Sequence, residues 1–178
     1  MAATDTLHKA ILHLAQDQQR RYYGKYRGIV TDNNDPDTQG RIRAKVPELF
    51  DDGEIGWAMP CVPYAPPGHG MLILPEAESN VWIEFEGGDP SRPIWAGCWW
   101  PTGKAASISS PTVKIFETAA GNRITLDDTS GSESIVLQDK NGATVTMNQQ
   151  GIELKKSGMS VQVSDSQVAI NSSSLTVM

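Results

Sequence analysis

The aromatic residues of this chain are so unevenly distributed that its two halves cannot fold in the same way. All five tryptophans lie between Trp57 and Trp100, whereas no aromatic side chain follows Phe116. Residues 117–178 also lack proline and cysteine, and they consist of short aliphatic pairs set among Ser, Asn, Asp, Gln, Thr and Gly. A segment of this kind cannot build a hydrophobic core of its own, so it must be buried by repetition or by partner chains.

The totals exclude several classes of protein. The 178 residues carry a formal net charge of −6, which argues against a nucleic-acid binder because phosphate binding requires an excess of Lys and Arg. No apolar run approaches the roughly 20 residues of a membrane-spanning helix, and we expect synthesis in the cytoplasm without a signal peptide. Cys61 and Cys98 are expected to be small buried hydrophobic side chains rather than a disulfide or metal ligands.

The first residues have the spacing of an amphipathic helix that ends near Gly24. One apolar stripe on a polar helix must dock, either on the chain's own domain or on a partner, and the sequence leaves both open. We assign residues 1–25 to this helix and its lead-in. The stripe consists of Leu7, Ala10, Ile11 and Leu14.

From residue 26 to residue 100 the pattern changes to short strands separated by Gly and Pro. The strand-like segments are YRGIVTD, GRIRAKV, WAMPCVPY, MLIL, NVWIEFE and IWAGCWW. Alternation is clearest where Val81, Ile83 and Phe85 face away from Glu84 and Glu86. About 75 residues of this type favour a small five-stranded barrel of the OB type. We therefore predict a mainly β protein, with an OB-fold barrel over residues 26–100.

Two turn-rich connections are expected to shape this barrel, because Gly, Pro and Asp supply the backbone angles of tight turns. The predicted structural residues are Asp35, Pro36 and Gly40 in the first hairpin, and Gly87, Gly88, Asp89, Pro90, Arg92, Pro93 and Gly97 in the closing one.

Residues 101–112 have the composition of a linker, and a loose repeat follows over residues 113–178. Gly121, Gly131, Gly142, Gly151 and Gly158 each precede a short alternating strand, a pattern typical of a β-solenoid or β-prism. Ordering a nine-residue repeat costs on the order of 9–18 kcal/mol. Its two or three aliphatic side chains return only about 1.5–3 kcal/mol each.

Several chains wound together would close the exposed strand edges and share one narrow core, so we predict an intertwined trimeric β-helix or prism. The predicted trimer core comprises Ile124, Leu126, Ile135, Leu137, Val145, Ile152, Leu154, Val161, Val163, Val168 and Ile170.

Three segments together resemble the central spike proteins of contractile injection machines. They are GIVTDNNDPDTQGRIRAKVP (28–47), NVWIEFEGGDPSRPIWAGCWW (80–100) and GNRITLDDTSGSESIVLQDKNG (121–142). The relatives are phage baseplate assembly protein V and the valine-glycine repeat protein of type VI secretion. The resemblance implies a homotrimer in which an OB-fold barrel leads into a triple-stranded β-helix. It also implies a rod driven through the target cell envelope when a sheath contracts.

Departures from the family carry further implications. Only a short linker separates Trp100 from Val113, which leaves no room for the lysozyme domain of some spikes. The resemblance implies a separate baseplate hub protein at the barrel end. It also implies a separate tip protein of the proline-alanine-alanine-arginine (PAAR) type at the C-terminus, because this tail has no histidine for an iron-binding apex. The expected location is a virion tail baseplate or an extracellular contractile particle.

No motif predicts catalysis, a cofactor or a metal site. His8, His13 and His69 lack metal-ligand spacing, and we interpret Asp51, Asp52 and Glu54, or Glu84 and Glu86, as solvated charges. The alternative function is an OB-fold protein that binds single-stranded nucleic acid, because cations and tyrosines alternate near the start of the barrel. We instead expect Arg27, Arg41, Arg43 and Lys45 to contact the hub or neighbouring protomers and not nucleic acid.

Overall fold

The structure is a computed structural model that describes residues 8–9, 11–12, 21–106, 110–171 and 175–177. It divides the chain into two compact units, Met1–Ala105 and Ala106–Met178. Most of the predicted N-terminal helix lies outside the described residues. The four that are described there (His8, Lys9, Ile11 and Leu12) have helical backbone and exposed side chains. Within the described residues, no helix has both the length and the apolarity to cross a membrane.

The first unit is a closed five-stranded barrel. Strand β1 (Tyr26–Asp32) pairs antiparallel with β2 (Arg43–Lys45) and with β4 (Asn80–Phe85). Strand β4 also pairs antiparallel with β5 (Pro93–Cys98), and β3 (Met59–Pro60) runs parallel to β5. Bridges from Ile42 to Ala58 and from Lys45 to Glu54 join β2 to the segment before β3, which closes the sheet in the order of an OB fold. The elements are β1 (Tyr26–Asp32), β2 (Arg43–Lys45), helix α1 (Pro47–Phe50), β3 (Met59–Pro60), β4 (Asn80–Phe85), a 3-10 turn (Glu86–Gly88) and β5 (Pro93–Cys98).

Two predicted strands of the barrel differ from the structure. WAMPCVPY keeps only Met59–Pro60 as a strand, since Pro60 and Pro63 cannot donate to a ladder. MLIL forms no strand, and Met71, Leu72 and Ile73 are about half exposed. The short helix α1 was not predicted; it begins at Pro47, where the missing N–H costs nothing.

The barrel core comes from the inward faces of the strands. In β4, buried Val81, Ile83 and Phe85 alternate with half-buried residues, as the sequence predicted. Burial of such a side chain stabilises the fold by about 1.5–3 kcal/mol. The core cluster consists of Val30, Ile42, Ala44, Val46, Ile55, Ala58, Val81, Ile83, Phe85 and Trp95.

The second unit is one eight-stranded antiparallel sheet whose strands follow each other in chain order. The repeat predicted from the glycine spacing is therefore confirmed as a repeat of short strands and turns. Gly121, Gly131, Gly142 and Gly151 have positive φ in the turns, which glycine adopts without steric cost. The strands are β6 (Val113–Glu117), β7 (Arg123–Asp127), β8 (Ser134–Gln138), β9 (Thr144–Asn148), β10 (Gly151–Lys156), β11 (Met159–Val163), β12 (Val168–Ile170) and β13 (Leu175–Val177).

This sheet has almost no interior within a single chain. Among the described residues of the second unit, Val113 and Ala169 are the only buried hydrophobic side chains. The mainly β architecture is thus confirmed for both units. The intertwining of three chains into a β-helix stays a prediction, because it concerns copies beyond the single chain.

Candidate assembly surfaces

One face of the second sheet carries two adjacent rows of aliphatic residues, which we call the apolar face. Successive side chains of a strand point to opposite faces, so the strand register determines which residues share a row. All of the residues predicted for the trimer core lie in these rows. The first row is Phe116, Ile124, Leu137, Val145, Leu154, Val161 and Ile170; the second is Leu126, Ile135, Met147, Ile152, Val163 and Val168.

The apolar face is open to solvent in the single chain. Most of its side chains are exposed, from 36% at Val161 to 48% at Leu154, and Val145, Met147 and Ile170 are half-buried. Along the first row the sheet forms a groove of about 800 Å³ that Phe116, Leu137 and Leu154 help to line. Contiguous apolar surface of this kind marks an interaction site in a folded protein. Phe116 and Met147 were missed as members of the face, although their strands show the same alternation.

Polar residues border the apolar face, and the other side of the sheet is more polar than this face. At one margin, the Lys156 Nζ donates to the carbonyl of Asn141 at 3.1 Å and lies 3.8 Å from an Asp139 oxygen. The backbone N–H of Ala143 lowers the pKa of the Asp139 carboxyl. The opposite face carries one row that mixes polar and aliphatic residues: Ile115, Thr125, Val136, Thr146, Glu153, Gln162 and Ala169. The two aliphatic rows are therefore a continuous apolar surface with a polar margin, whereas the back of the sheet is mixed in character.

In the first hairpin of the barrel, Asp35 organises the loop. Its carboxylate accepts N–H groups from Asp37, Gln39 and Arg41 at 2.8–3.2 Å. The Arg41 guanidinium donates Nε at 3.0 Å and Nη2 at 2.6 Å to the same oxygen, Oδ1. The Arg41 guanidinium, with these backbone donors, holds the pKa of Asp35 far below its ordinary value. Pro36 lies within this loop, and Gly40 follows it with φ of 73°.

In the closing hairpin, Asp89 plays the equivalent part. Its Oδ1 accepts the backbone N–H and the hydroxyl of Ser91, which lowers its pKa. Arg92 pairs with Glu86 at 2.5 Å, and Pro93 is buried at the start of β5. Gly87 and Gly88, which were also predicted for this hairpin, both have positive φ. Pro90 is exposed in the turn. Gly97 has a φ of 105° at the point where β5 bulges against β4.

A hydrogen bond that sequence reasoning missed joins the two hairpins. The indole Nε1 of Trp95 donates to the carbonyl of Gly40 at 3.0 Å in the buried core. The partners are 55 residues apart in the chain, and no local pattern marks such a pair. The bond satisfies a buried indole N–H and fixes the first hairpin against β5.

The four cations expected to contact partners have different environments. Arg41 is committed to Asp35 and Asp37, and Arg43 pairs with Glu54 at 2.7 Å. Lys45 is exposed. Arg27 instead lies over the ring of Trp99, with its Cζ 4.7 Å from the ring centroid.

Arg27 belongs to a surface that we call the arginine–tryptophan patch, comprising Arg27, Trp82, Trp99 and Trp100. The Trp82 and Trp99 rings lie 6.0 Å apart, and the Arg27 Cζ is 6.0 Å from the Trp82 centroid. Trp100 is 65% exposed beside them in the chain. Trp and Arg are the residues most often found at the energetic centre of protein interfaces.

The carboxylates considered for catalysis have ordinary structural roles. Glu54 pairs with Arg43, Glu84 with Lys25 and Glu86 with Arg92, whereas Asp51 and Asp52 are exposed. The carboxyl groups of the described residues that show a shifted pKa are Asp35, Asp89, Asp127, Glu133 and Asp139, and each shift is downward. The same part of the chain contains no group of three or more His, Cys, Asp or Glu that could hold a metal ion.

The two cysteines do not have the expected environment. Cys61 and Cys98 are both free and exposed, so the prediction of buried thiols was wrong. Cys61 follows the two-residue strand β3, and Cys98 ends β5, where the strands no longer cover their side chains. Neighbouring atoms still desolvate Cys98 enough to raise the pKa of its thiol.

Comparison with known proteins assigns a family domain to each unit. Residues 26–100 match the type VI secretion system/phage-baseplate injector OB domain. Residues 111–176 match the phage baseplate V C-terminal trimerisation domain. A search of curated proteins finds no significant match.

Both matched domains are structural parts of baseplates and spikes, and the second supports a homotrimer. The two matches follow one another along the chain in the order that the barrel and the sheet occupy. The protein therefore belongs to the family of spike proteins that includes phage baseplate protein V and the valine-glycine repeat proteins of type VI secretion.

Proposed function

We propose that this protein is the trimeric central spike of a contractile tail baseplate. The observation that carries the proposal is the apolar face of the second unit, which presents two aliphatic rows to solvent in a single chain. Three copies that turn these faces toward one axis bury them together. The match of the same residues to a trimerisation domain supports this arrangement.

Each segment of the chain has its own role in the proposed spike. The barrel, residues 26–100, mounts the spike on a separate hub protein, and the two hairpins anchored by Asp35 and Asp89 keep its shape. Residues 101–112 connect it to the rod. Residues 113–178 of three chains intertwine as a triple-stranded β-helix, with the aliphatic rows as the shared core.

The spike punctures the target cell envelope mechanically when the sheath contracts, and it has no enzymatic activity. The structural character of both matched families supports this, as does the use of the candidate carboxylates in surface ion pairs. Its location is then the virion tail or an extracellular contractile particle. Purified protein should not clear peptidoglycan above a buffer control; clearing that disappears on mutation of a carboxylate pair would contradict the proposal.

We further propose that a PAAR-type tip protein caps the far end of the rod. Among the described residues, strand β13 (Leu175–Val177) lies at one edge of the sheet and pairs with β12 alone. Open strand edges invite uncontrolled pairing, so a dedicated cap, or a neighbouring chain, is needed there.

The mass of the full chain in solution tests the central claim. Size-exclusion chromatography with light scattering should give three times the chain mass of 19.3 kDa across a wide range of protein concentration. A folded species of single-chain mass would exclude the spike, because its apolar face would then be exposed in the working protein.

A further inference from the structure

The arginine–tryptophan patch contains an arginine without an acceptor. Among the described residues, the other arginines each reach an oxygen: Arg21 bonds to Gly87, and Arg41, Arg43, Arg92 and Arg123 reach carboxylates. Arg27 makes only its two ring contacts, to Trp82 and Trp99. Its five N–H donors are therefore available to a ligand.

The two tryptophans hold this guanidinium in place before anything binds. Stacking on aromatic rings is favourable for Arg and leaves the edge of the guanidinium plane free to donate. The loss of side-chain entropy on binding is then small, since the rotamer is already restricted. Such a prearranged donor suits a planar acceptor of opposite charge, which is a carboxylate.

The barrel itself supplies carboxylates without a partner. Within the described residues, the acids of the barrel that form no ion pair and are exposed lie in two loops. They are Glu48, Asp51 and Asp52 around helix α1, and Glu76 and Glu78 before β4.

We propose that the patch binds a carboxylate on the barrel of the neighbouring chain in the trimer. This rests on the proposed function, because the rod tethers three barrels to each other. The linker over residues 101–112 reaches at most about 40 Å when extended. Tethers of this length give effective concentrations in the millimolar range, so even a weak contact is populated. In a ring with three-fold symmetry, the Arg27 of each barrel binds an acid on the next barrel. Every patch in the trimer is then occupied.

A cross-linking experiment on the full chain identifies the partner. Arg27→Lys keeps a cation over the rings and allows a carbodiimide to join residue 27 to a carboxylate in contact. Chains grown in light and heavy nitrogen are unfolded together, refolded into mixed trimers, cross-linked and digested. We expect light–heavy peptides that link residue 27 to an acid of the barrel. The ion pair of Lys25 and Glu84 is an internal control, because it forms within one chain. Its cross-links should join only light to light or heavy to heavy peptides.

Links from residue 27 that are never light–heavy would overturn the proposal, and so would the absence of any link while the control pair reacts. Tryptophan quenching by acrylamide gives a second measurement. Since all five tryptophans lie in residues 57–100, their fluorescence reports the barrel alone. We expect greater quenching in a trimer in which the cross-linked acid is replaced by its amide, which leaves Arg27 over its own rings, than in the wild-type trimer; equal quenching counts against the contact.

The experiment separates this inference from the proposed function. A wild-type chain that is monomeric by light scattering refutes the trimer itself, whatever the cross-links show. A trimer without mixed links refutes only the contact between barrels. If instead a single-stranded oligonucleotide quenches the wild-type tryptophans at physiological salt, and Arg27→Glu abolishes this, the patch is a nucleic-acid site and the proposal is wrong.

Discussion

The barrel and the sheet contain similar aliphatic residues, but the barrel buries far more of them. Val30, Ile42 and Ile83 are fully buried in the barrel, whereas Leu154 remains 48% exposed in the sheet. The difference lies in closure. The barrel bends one sheet until its first and last strands meet, so one face becomes an interior. A meander of short strands has nothing to close against, and its apolar face needs other chains.

The comparison explains why the two units depend differently on assembly. A closed barrel gains its hydrophobic stabilisation within one chain, so its stability is independent of concentration. In the proposed trimer the sheet gains most of its stabilisation on association, so we expect its folding and trimerisation to be one event. Changes in the apolar face should therefore act on assembly, whereas changes in the barrel should act on a single unit.

The largest effect is expected from Leu154→Asp, which should disrupt trimer formation by the sheet and leave the barrel folded. Leu154 pairs with Val145 and Val161 in the middle of the first aliphatic row. In the trimer three charges would enter the core at one level, each costing several kcal/mol if it stayed buried. Light scattering should show loss of the trimer. The barrel should still unfold cooperatively, as followed by the near-ultraviolet circular dichroism of its tryptophans.

Lys155→Asp is the matched control for this change. It introduces the same side chain one position further along β10, on the opposite face between Thr144 and Ser160. We expect a trimer of unchanged mass. A Leu154→Asp protein that remains a stable trimer would show that the apolar face is not the shared core.

The next largest effect is expected from Asp35→Asn, which weakens the barrel and spares the trimer. The amide cannot neutralise Arg41, and it replaces an acceptor with a donor beside three backbone N–H groups. The barrel should unfold at lower denaturant concentration, with the trimer mass unchanged. Asp37→Asn removes only the exposed partner of Arg41 and should shift the midpoint much less. Equal shifts from both variants would contradict the central role of Asp35.

Acidification tests the contribution of the Asp35 carboxylate to the stability of the barrel without a mutation. The pKa of Asp35 is depressed in the folded barrel, so its contribution to the free energy of unfolding is complete above the ordinary value of 3.8 and is lost as the pH falls below it. The free energy of unfolding of the barrel should decline with acidification in the wild type. The decline should be shallower in Asp35→Asn, which has no carboxyl left to titrate at this position.

The sequence predicted the alternating strands of both units, because alternation is a local signal that neighbouring residues carry, whereas the segment MLIL, which does not alternate, forms no strand. Val81, Ile83 and Phe85 are an example in the barrel, and the two aliphatic rows follow the same rule in the sheet. Contacts between distant residues left no such signal. The bond from Trp95 to Gly40 and the position of Arg27 over Trp99 depend on how the barrel closes, and they could be recognised only in the structure.

A smaller effect is expected from Gly151→Ala, which tests whether the turns of the sheet tolerate a side chain. A Cβ at this position would lie 2.0 Å from the carbonyl oxygen of Val163, and the backbone φ is 126°. A strained backbone of this kind costs about 1–3 kcal/mol in each chain, and the steric clash adds to it. The thermal midpoint of the trimer should fall, with faster hydrogen exchange along β10.

Gly158→Ala is the control, because Gly158 has no positive φ and a methyl group added there would meet no side chain or distant backbone atom within 4 Å. Its trimer should melt like the wild type. If Gly151→Ala also leaves the midpoint unchanged, the turn between β9 and β10 must adopt another backbone in the assembled rod than in the single chain.

The smallest effects are expected from the surface ion pairs. Removal of such a pair should change stability equally little in the barrel and in the sheet. Arg92 and Glu86 pair on the barrel, and Lys114 and Asp128 pair on the sheet, with all four side chains more than half exposed. Water screens such pairs, and holding two long side chains costs entropy, so each contributes less than about 1 kcal/mol. Arg92→Gln and Lys114→Gln should both unfold within that range of the wild type, at low and at high salt. A large loss of unfolding free energy in Lys114→Gln alone would mean that the pair of Lys114 and Asp128 becomes buried when three sheets meet. The buried interface of the trimer would then extend beyond the apolar face to this pair.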